Sequence, residues 1–115
     1  MSKVKHFILK ENATIAADGQ TDAVKVKNAS KVSLYGRATL AGTTPSFKAQ
    51  VQTKDAAGNW HNLGSGVTIT ATGLIKEAGI TGPFGEEFRI DMDIDVASGD
   101  EAYTLVDLTV AIEHE

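Results

Sequence analysis

The chain has 115 residues, 42% of them apolar, no cysteine and a formal net charge of −4. That length suits one domain that buries roughly two-thirds of its unfolded surface on folding. The lack of cysteine excludes a disulfide framework or a thiolate metal site, and the acidic balance argues against a nucleic-acid binder, which normally shows a basic face.

At the N-terminus, Phe7-Ile8-Leu9 stops after three apolar residues. That is too short for a signal peptide, and no segment approaches the ~20 apolar residues of a membrane span, so neither secretion nor a membrane partner is expected. The sequons at Asn12-Ala13-Thr14 and Asn28-Ala29-Ser30 therefore read as chance. Phe7 to Leu9 reads as an edge strand whose flanking lysines discourage stray pairing. Residues 1–12 form an N-terminal arm or an edge strand of a single domain spanning 1–115.

The period that follows is two, the mark of half-buried strands. Ala23 to Lys27 alternates, and so does Val32 to Tyr35, with continuation toward Leu40. Phe47, Ala49 and Val51 form an inward face, with Lys48, Gln50 and Gln52 outward. Val67 to Thr72 is rich in β-branched residues, which suit a pleated surface. Leu74 to Ala78 is the one helix-friendly stretch, too short to stand alone. Phe88 to Val96 alternates apolar and charged residues without a break. Tyr103 to Ile112 alternates with a phase slip, which predicts a β-bulge near Leu105–Val106. Turn signals separate these runs at Asp18-Gly19, Gly42 to Pro45, Ala57 to Asn59, Gly64 to Gly66, Gly82 to Gly85 and Ser98 to Asp100. The pattern predicts an all-β fold, an antiparallel two-sheet β-sandwich of Ig-like or jelly-roll-like kind, with about seven to nine strands and little or no helix.

Convergent reactive groups are not evident. The histidines are His6, His61 and His114, and the chain spells no G-x-S-x-G, H-E-x-x-H, P-loop or G-x-G-x-x-G. The expectation is a non-enzyme with no catalytic residue, cofactor or metal. Asp91, Asp93 and Asp95 share one strand face ~7 Å apart, too far apart to converge on calcium. They read as a solvated face, or as a contact for a partner's lysines. Trp60 follows a turn and reads as a cap on the core, with an interface or sugar-stacking role as the alternative. Tyr35, Tyr103, Phe47, Phe84 and Phe88 read as core or hairpin fillers.

Charge is split along the chain. Residues 1–54 hold nine Lys and Arg against three acids, and residues 55–115 hold two against twelve. Either strands of the two parts interleave and the charges mix, or the molecule has a basic and an acidic side that could contact its own copies or a charged partner.

Two segments together carry a resemblance. One is Gly42-Thr43-Thr44-Pro45-Ser46-Phe47-Lys48-Ala49-Gln50-Val51-Gln52-Thr53, continuing through Asp55-Ala56-Ala57-Gly58-Asn59-Trp60 to Leu63. The other is Gly82-Pro83-Phe84-Gly85 leading into Phe88-Arg89-Ile90. The region 42–96 resembles small β-sandwich structural proteins of tailed bacteriophages and prophages, of the capsid decoration (cement) type. It departs from them in the two alanines between Asp55 and Gly58 and in the three aspartates after Arg89.

The resemblance implies a virion structural protein made in the host cytoplasm. It would sit on the capsid exterior, bind the major capsid protein, stabilise the head shell and associate with itself as a homodimer or homotrimer. Many copies would convert weak single contacts into firm retention. Lys3, Lys5 and Lys10 are the expected grip on an acidic shell, with Trp60 as a further contact. Removal of residues 1–10 would then abolish binding and leave the fold intact. The alternatives are a tail, neck or fibre component of the virion, or a carbohydrate-binding or adhesin module.

Overall fold

The computed structural model describes residues 3–41, 45–95 and 104–115. Ten strands follow in chain order: β1 Lys3–Ile15, β2 Gly19–Gln20, β3 Val24–Lys25, β4 Ala29–Thr39, β5 Ser46–Lys54, β6 Trp60–Asn62, β7 Val67–Ile69, β8 Gly73–Ile80, β9 Glu87–Asp95 and β10 Thr104–His114. One sheet has four strands in the order β1-β10-β4-β8. The other has six: β2 and β3 pair with β9, β9 with β5, and β5 with β6 and β7. Every pairing is antiparallel. The fold is the two-sheet antiparallel sandwich that the alternation predicts, and no helix occurs among the described residues. The strand count exceeds seven to nine because β2 and β6 have only two or three residues each, too few to show a period, and because Leu74 to Ala78 lies in a further strand, β8.

The core is the set of inward residues of both sheets. Phe47, Val51, Phe88 and Ile90 come from the six-stranded sheet and Val32, Leu34, Ile75, Val106, Leu108, Val110 and Ile112 from the other, all essentially inaccessible. Truncating a ring such as Phe88 to alanine in such a core costs about 3–5 kcal/mol. Strands of the basic and acidic parts interleave, since β5 pairs with β9 and β4 with β10 and β8, so the two charge blocks mix.

Three expectations need correction. Leu74 to Ala78 belongs to strand β8, where Ile75 turns into the core, Leu74 and Lys76 turn out, and β4 supplies the ladder. Five residues cannot nucleate a helix against that pairing. The bulge expected near Leu105–Val106 is absent: β10 runs in unbroken register with β4 from Leu105 to Glu113. Leu105 simply faces outward. The irregularities lie in the neighbouring strand β1, between Ile8 and Lys10 and between Lys10 and Ala13. There Asn12 takes a positive φ of 48° and its N–H donates to Asp107 Oδ1 at 2.7 Å. Tyr35 is 40% exposed on the outer face of the four-stranded sheet and fills no core. Phe47 and Phe88 are core residues, and Phe84 packs against Phe88 with ring centroids 5.9 Å apart. Gly42 to Thr44, Val96, the Ser98-Gly99-Asp100 turn and Tyr103 lie outside the described residues.

One clasp joins the two sheets. Glu77 of β8 accepts the N–H groups of Ser65 and Gly66 at 3.0 and 3.2 Å and the Ser65 hydroxyl at 3.2 Å. The loop bends through Gly64 and Gly66, whose φ values of 70° and 78° favour glycine.

Candidate functional site

Three surfaces carry the residues of interest. The first is the edge strand β1, which ends the order β1-β10-β4-β8. Lys3 and Lys5 are exposed on it and Lys10 is half-buried. Lys5 stands opposite Ile112, Lys3 opposite His114 and Lys10 opposite Leu108. The three lysines do not form one cluster. Lys5 instead shares a cleft of about 390 Å³ with Lys25, Lys27 and His114, flanked by Glu86 and Glu115. Lys25 and Lys27 are thus the cationic neighbours that spacing along the chain does not show. Phe7 and Leu9 of β1 pack against the core, so deleting residues 1–10 would uncover β10 and is no test of the lysines alone.

The second surface is the outer face of the six-stranded sheet. Trp60 stands directly opposite Lys54, which stands opposite Glu87. The ring does not cap the core. It lies on the outer face beneath two cations, with the Arg89 guanidinium carbon 4.1 Å and Lys54 Nζ 5.8 Å from its centroid. Arg89 Nε donates to Gln52 Oε1 at 2.8 Å, and Lys54 Nζ lies 3.5 Å from Glu87 Oε2. Further along the same face, Asp91 accepts from Gln20 Nε2 at 2.8 Å, and Asp93 stands opposite Lys48. Loss of hydration beside its strand and the nearby carboxylates of Asp91 and Asp18 push the Asp93 pKa up, against a smaller opposing pull from Lys48.

A cleft of about 650 Å³ opens between the β5–β6 hairpin and the Thr81–Gly85 loop, lined among others by His61, Asn62, Leu63, Pro83 and Phe84 and not by Trp60. Its acidic group, Asp55, is fully engaged. Oδ1 accepts the N–H groups of Ala57 and Asn59, both at 2.9 Å, and Oδ2 lies 2.6 Å from His61 Nε2. The His61 hydrogen bond, then the backbone donors, bring the Asp55 pKa down to about 2. These contacts fix the hairpin turn and leave the carboxylate little freedom to act as a base.

The third surface is the outer face of the four-stranded sheet. Val4, Ile8, Tyr35, Leu74 and Leu105 are the large apolar side chains exposed among the described residues, at 39–78% accessibility. All five project from this face by register: Val4 stands opposite Glu113, Ile8 and Tyr35 flank Thr109, Leu105 stands opposite Thr39 and Leu74 opposite Arg37. Sequence reasoning missed it. The signal was apolar residues in both phases of a strand, as with Val4 and Ile8 against Phe7.

No family model matches the sequence, and no curated protein matches it. Solved structures share the fold. The chain aligns with the VP2 subviral particle of infectious bursal disease virus at a TM-score of 0.67 and 9% identity, covering 99% of this chain and 33% of that one. It aligns with the SPBc2 prophage-derived protein YomS at a TM-score of 0.53 and 13% identity, covering 98% and 95%. A carbohydrate-binding module, CBM4, aligns at a TM-score of 0.55 and 11% identity, covering 95% and 70%. The chain spans about a third of the virus chains it matches. At these identities the likeness is one of fold: a two-sheet sandwich of a kind found in virus particles, in a prophage product and in a sugar-binding module.

Proposed function

We propose that this chain is a non-catalytic structural protein of a bacteriophage virion, a decoration protein that binds the outside of the head shell and stabilises it. What supports this reading is that nearly the whole chain overlays both on part of a protein that builds a viral particle and on almost all of a prophage-derived protein. Lys3 and Lys5 on the open edge of β1, with Lys25 and Lys27 beside Lys5, supply a basic margin for an acidic shell. Such contacts are individually weak and act through copy number.

The test is co-sedimentation with empty capsids of the encoding phage. Saturable binding is expected, and it should fall in the charge-reversed variant Lys3→Glu/Lys5→Glu, which leaves Phe7 and Leu9 in place. Failure of the unaltered protein to bind capsids would overturn the reading. Binding to purified tails would then place the chain elsewhere in the virion. The carbohydrate-binding reading draws on the CBM4 likeness and the cleft between the β5–β6 hairpin and the Thr81–Gly85 loop, and a glycan array distinguishes it.

A further inference from the structure

On the outer face of the four-stranded sheet the charges are ordered by strand. β10 carries acids, Asp107 and Glu113, and β4 carries bases, Lys31 and Arg37. They occupy matched rows: Glu113 stands opposite Lys31 and Asp107 opposite Arg37. Among the described residues, the ion pairs within 4.0 Å are Lys54–Glu87 and Asp55–His61, so neither row is closed within the chain. The Asn12 N–H donated to Asp107 Oδ1 holds that carboxylate on this face. Between the charged rows run the small residues Ala111 and Ser33. They line a depression of about 310 Å³ together with Val4, His6 and Tyr35.

This arrangement is self-complementary. A two-fold axis lying in the plane of contact, parallel to the strands and between β10 and β4, sets β10 of each copy over β4 of the other. It leaves every residue in its own row. Glu113 of each copy then meets Lys31 of the second copy, and Asp107 meets Arg37, giving four reciprocal charge pairs. The same operation sets β1 of each copy over β8 of the other, so Ile8 meets the row of Lys76 beside Leu74. Packed sheets cross at about 30°, which shifts the outer rows by roughly one strand spacing, within the span of the Lys31 and Arg37 side chains. Four strands at ~4.8 Å and about ten residues at ~3.3 Å give a face of roughly 19 by 33 Å. That is of the order that a specific interface needs, about 800 Å² per partner. A closed two-fold contact also covers the five exposed apolar side chains, which a lone domain would leave in water.

We propose that this face is the interface of a homodimer, with a second copy of the chain as its occupant. The proposal does not rest on the capsid reading, since it is measured without a capsid.

The test uses sedimentation equilibrium of the full chain at ~100 μM, a concentration that populates a dimer of micromolar Kd. Twice the 12.1 kDa chain mass is expected. Lys31→Glu/Arg37→Glu makes the charged side chains of the β10 and β4 rows all acidic, and Asp107→Lys/Glu113→Lys makes them all basic. Each variant alone should sediment as a monomer, and an equimolar mixture should recover the dimer, a result that contacts within one chain cannot produce. Leu74→Lys, at a side chain 78% exposed in the monomer, should weaken the dimer at least ~10-fold with the β-sheet circular dichroism unchanged. This variant keeps the test decisive if the charge variants fold poorly. An unaltered protein that is monomeric under these conditions, or a Leu74→Lys variant that dimerises as before, overturns the proposal. So does a mixture of two folded charge variants that stays monomeric. Monomeric protein that binds capsids in a Leu74-dependent way would assign the face to the shell instead.

Discussion

Arg89 lies over the ring of Trp60, its guanidinium carbon 4.1 Å from the ring centroid, and the two belong to strands separated by β5. The contact spans β9, β5 and β6, and Gln52 in the middle strand anchors the arginine through Nε. It covers one face of the ring. Arg89→Ala is expected to cost roughly 2–4 kcal/mol, the sum of a cation–π contact and a hydrogen bond to a charged group. Trp60 emission should shift to the red and acrylamide should quench it more strongly. Unchanged emission in a folded variant would mean that the ring does not depend on the arginine.

Asp55 and His61 give a second prediction. The Asp55 pKa lies at about 2, held down chiefly by the His61 hydrogen bond. A depressed carboxylate contributes stability above its ordinary value of about 3.9, and that contribution is lost as pH falls from there through about 2. Carboxyl NMR should show Asp55 still ionised at a pH where ordinary aspartates are protonated. In His61→Ala its titration should move up toward the ordinary range. An unaltered titration in that variant would assign the depression to the Ala57 and Asn59 N–H groups alone.

How far each part is legible without coordinates depends on what fixes it. Phe88, Ile90 and Met92 alternate with charges because β9 has one face in the core and the other in water, and any strand so placed must alternate. Phe47, Ala49 and Val51 are legible for the same reason. Gln50, read as outward, is 8% exposed, and its amide donates to the Gly64 carbonyl, a loop contact with no sequence signal. Trp60 is misread as a core cap because its partner Arg89 is distant in sequence and reaches it only through the β9-β5-β6 order. The face bearing Ile8, Tyr35 and Leu74 is missed because apolar residues in strands are assigned inward by default. Only the register of β1, β10, β4 and β8 shows that these three share a side.

Asp93 runs opposite to Asp55. Its pKa is raised by lost hydration first and by Asp91 and Asp18 next, and Asp18 is fixed nearby because its Oδ1 accepts the Ile94 N–H at 2.7 Å. A raised carboxylate penalises the folded state at every pH above its folded value. The penalty fades as pH falls toward the unfolded value of about 3.9 and is absent below it. Asp93→Asn should therefore raise the melting temperature at pH 7 and leave it unchanged at pH 3. A fall at pH 7 would show that the pull of Lys48 outweighs the repulsion.

Two glycines should respond in opposite ways to one added methyl group. A Cβ at Gly85 would sit 1.8 Å from the Lys54 carbonyl oxygen and 2.9 Å from its carbon, both backbone atoms that β5 holds in place. The Gly85 N–H also donates at 2.9 Å to the Thr53 hydroxyl, which in turn donates to the Glu87 carbonyl at 3.1 Å. The Thr81–Gly85 loop therefore depends on this close approach to reach the first residue of β9. Gly85→Ala should cost roughly 1–3 kcal/mol or more, the usual range for overpacking against a fixed neighbour. It should also displace Phe84 from its place against Phe88. At Gly19 a Cβ meets no atom within 4 Å, so Gly19→Ala should stay within about 0.5 kcal/mol of the parent. Urea unfolding of the two variants checks the pair. Equal stabilities would mean that the loop can retreat from Lys54 at no cost, and that its approach to β5 does not set the position of β9.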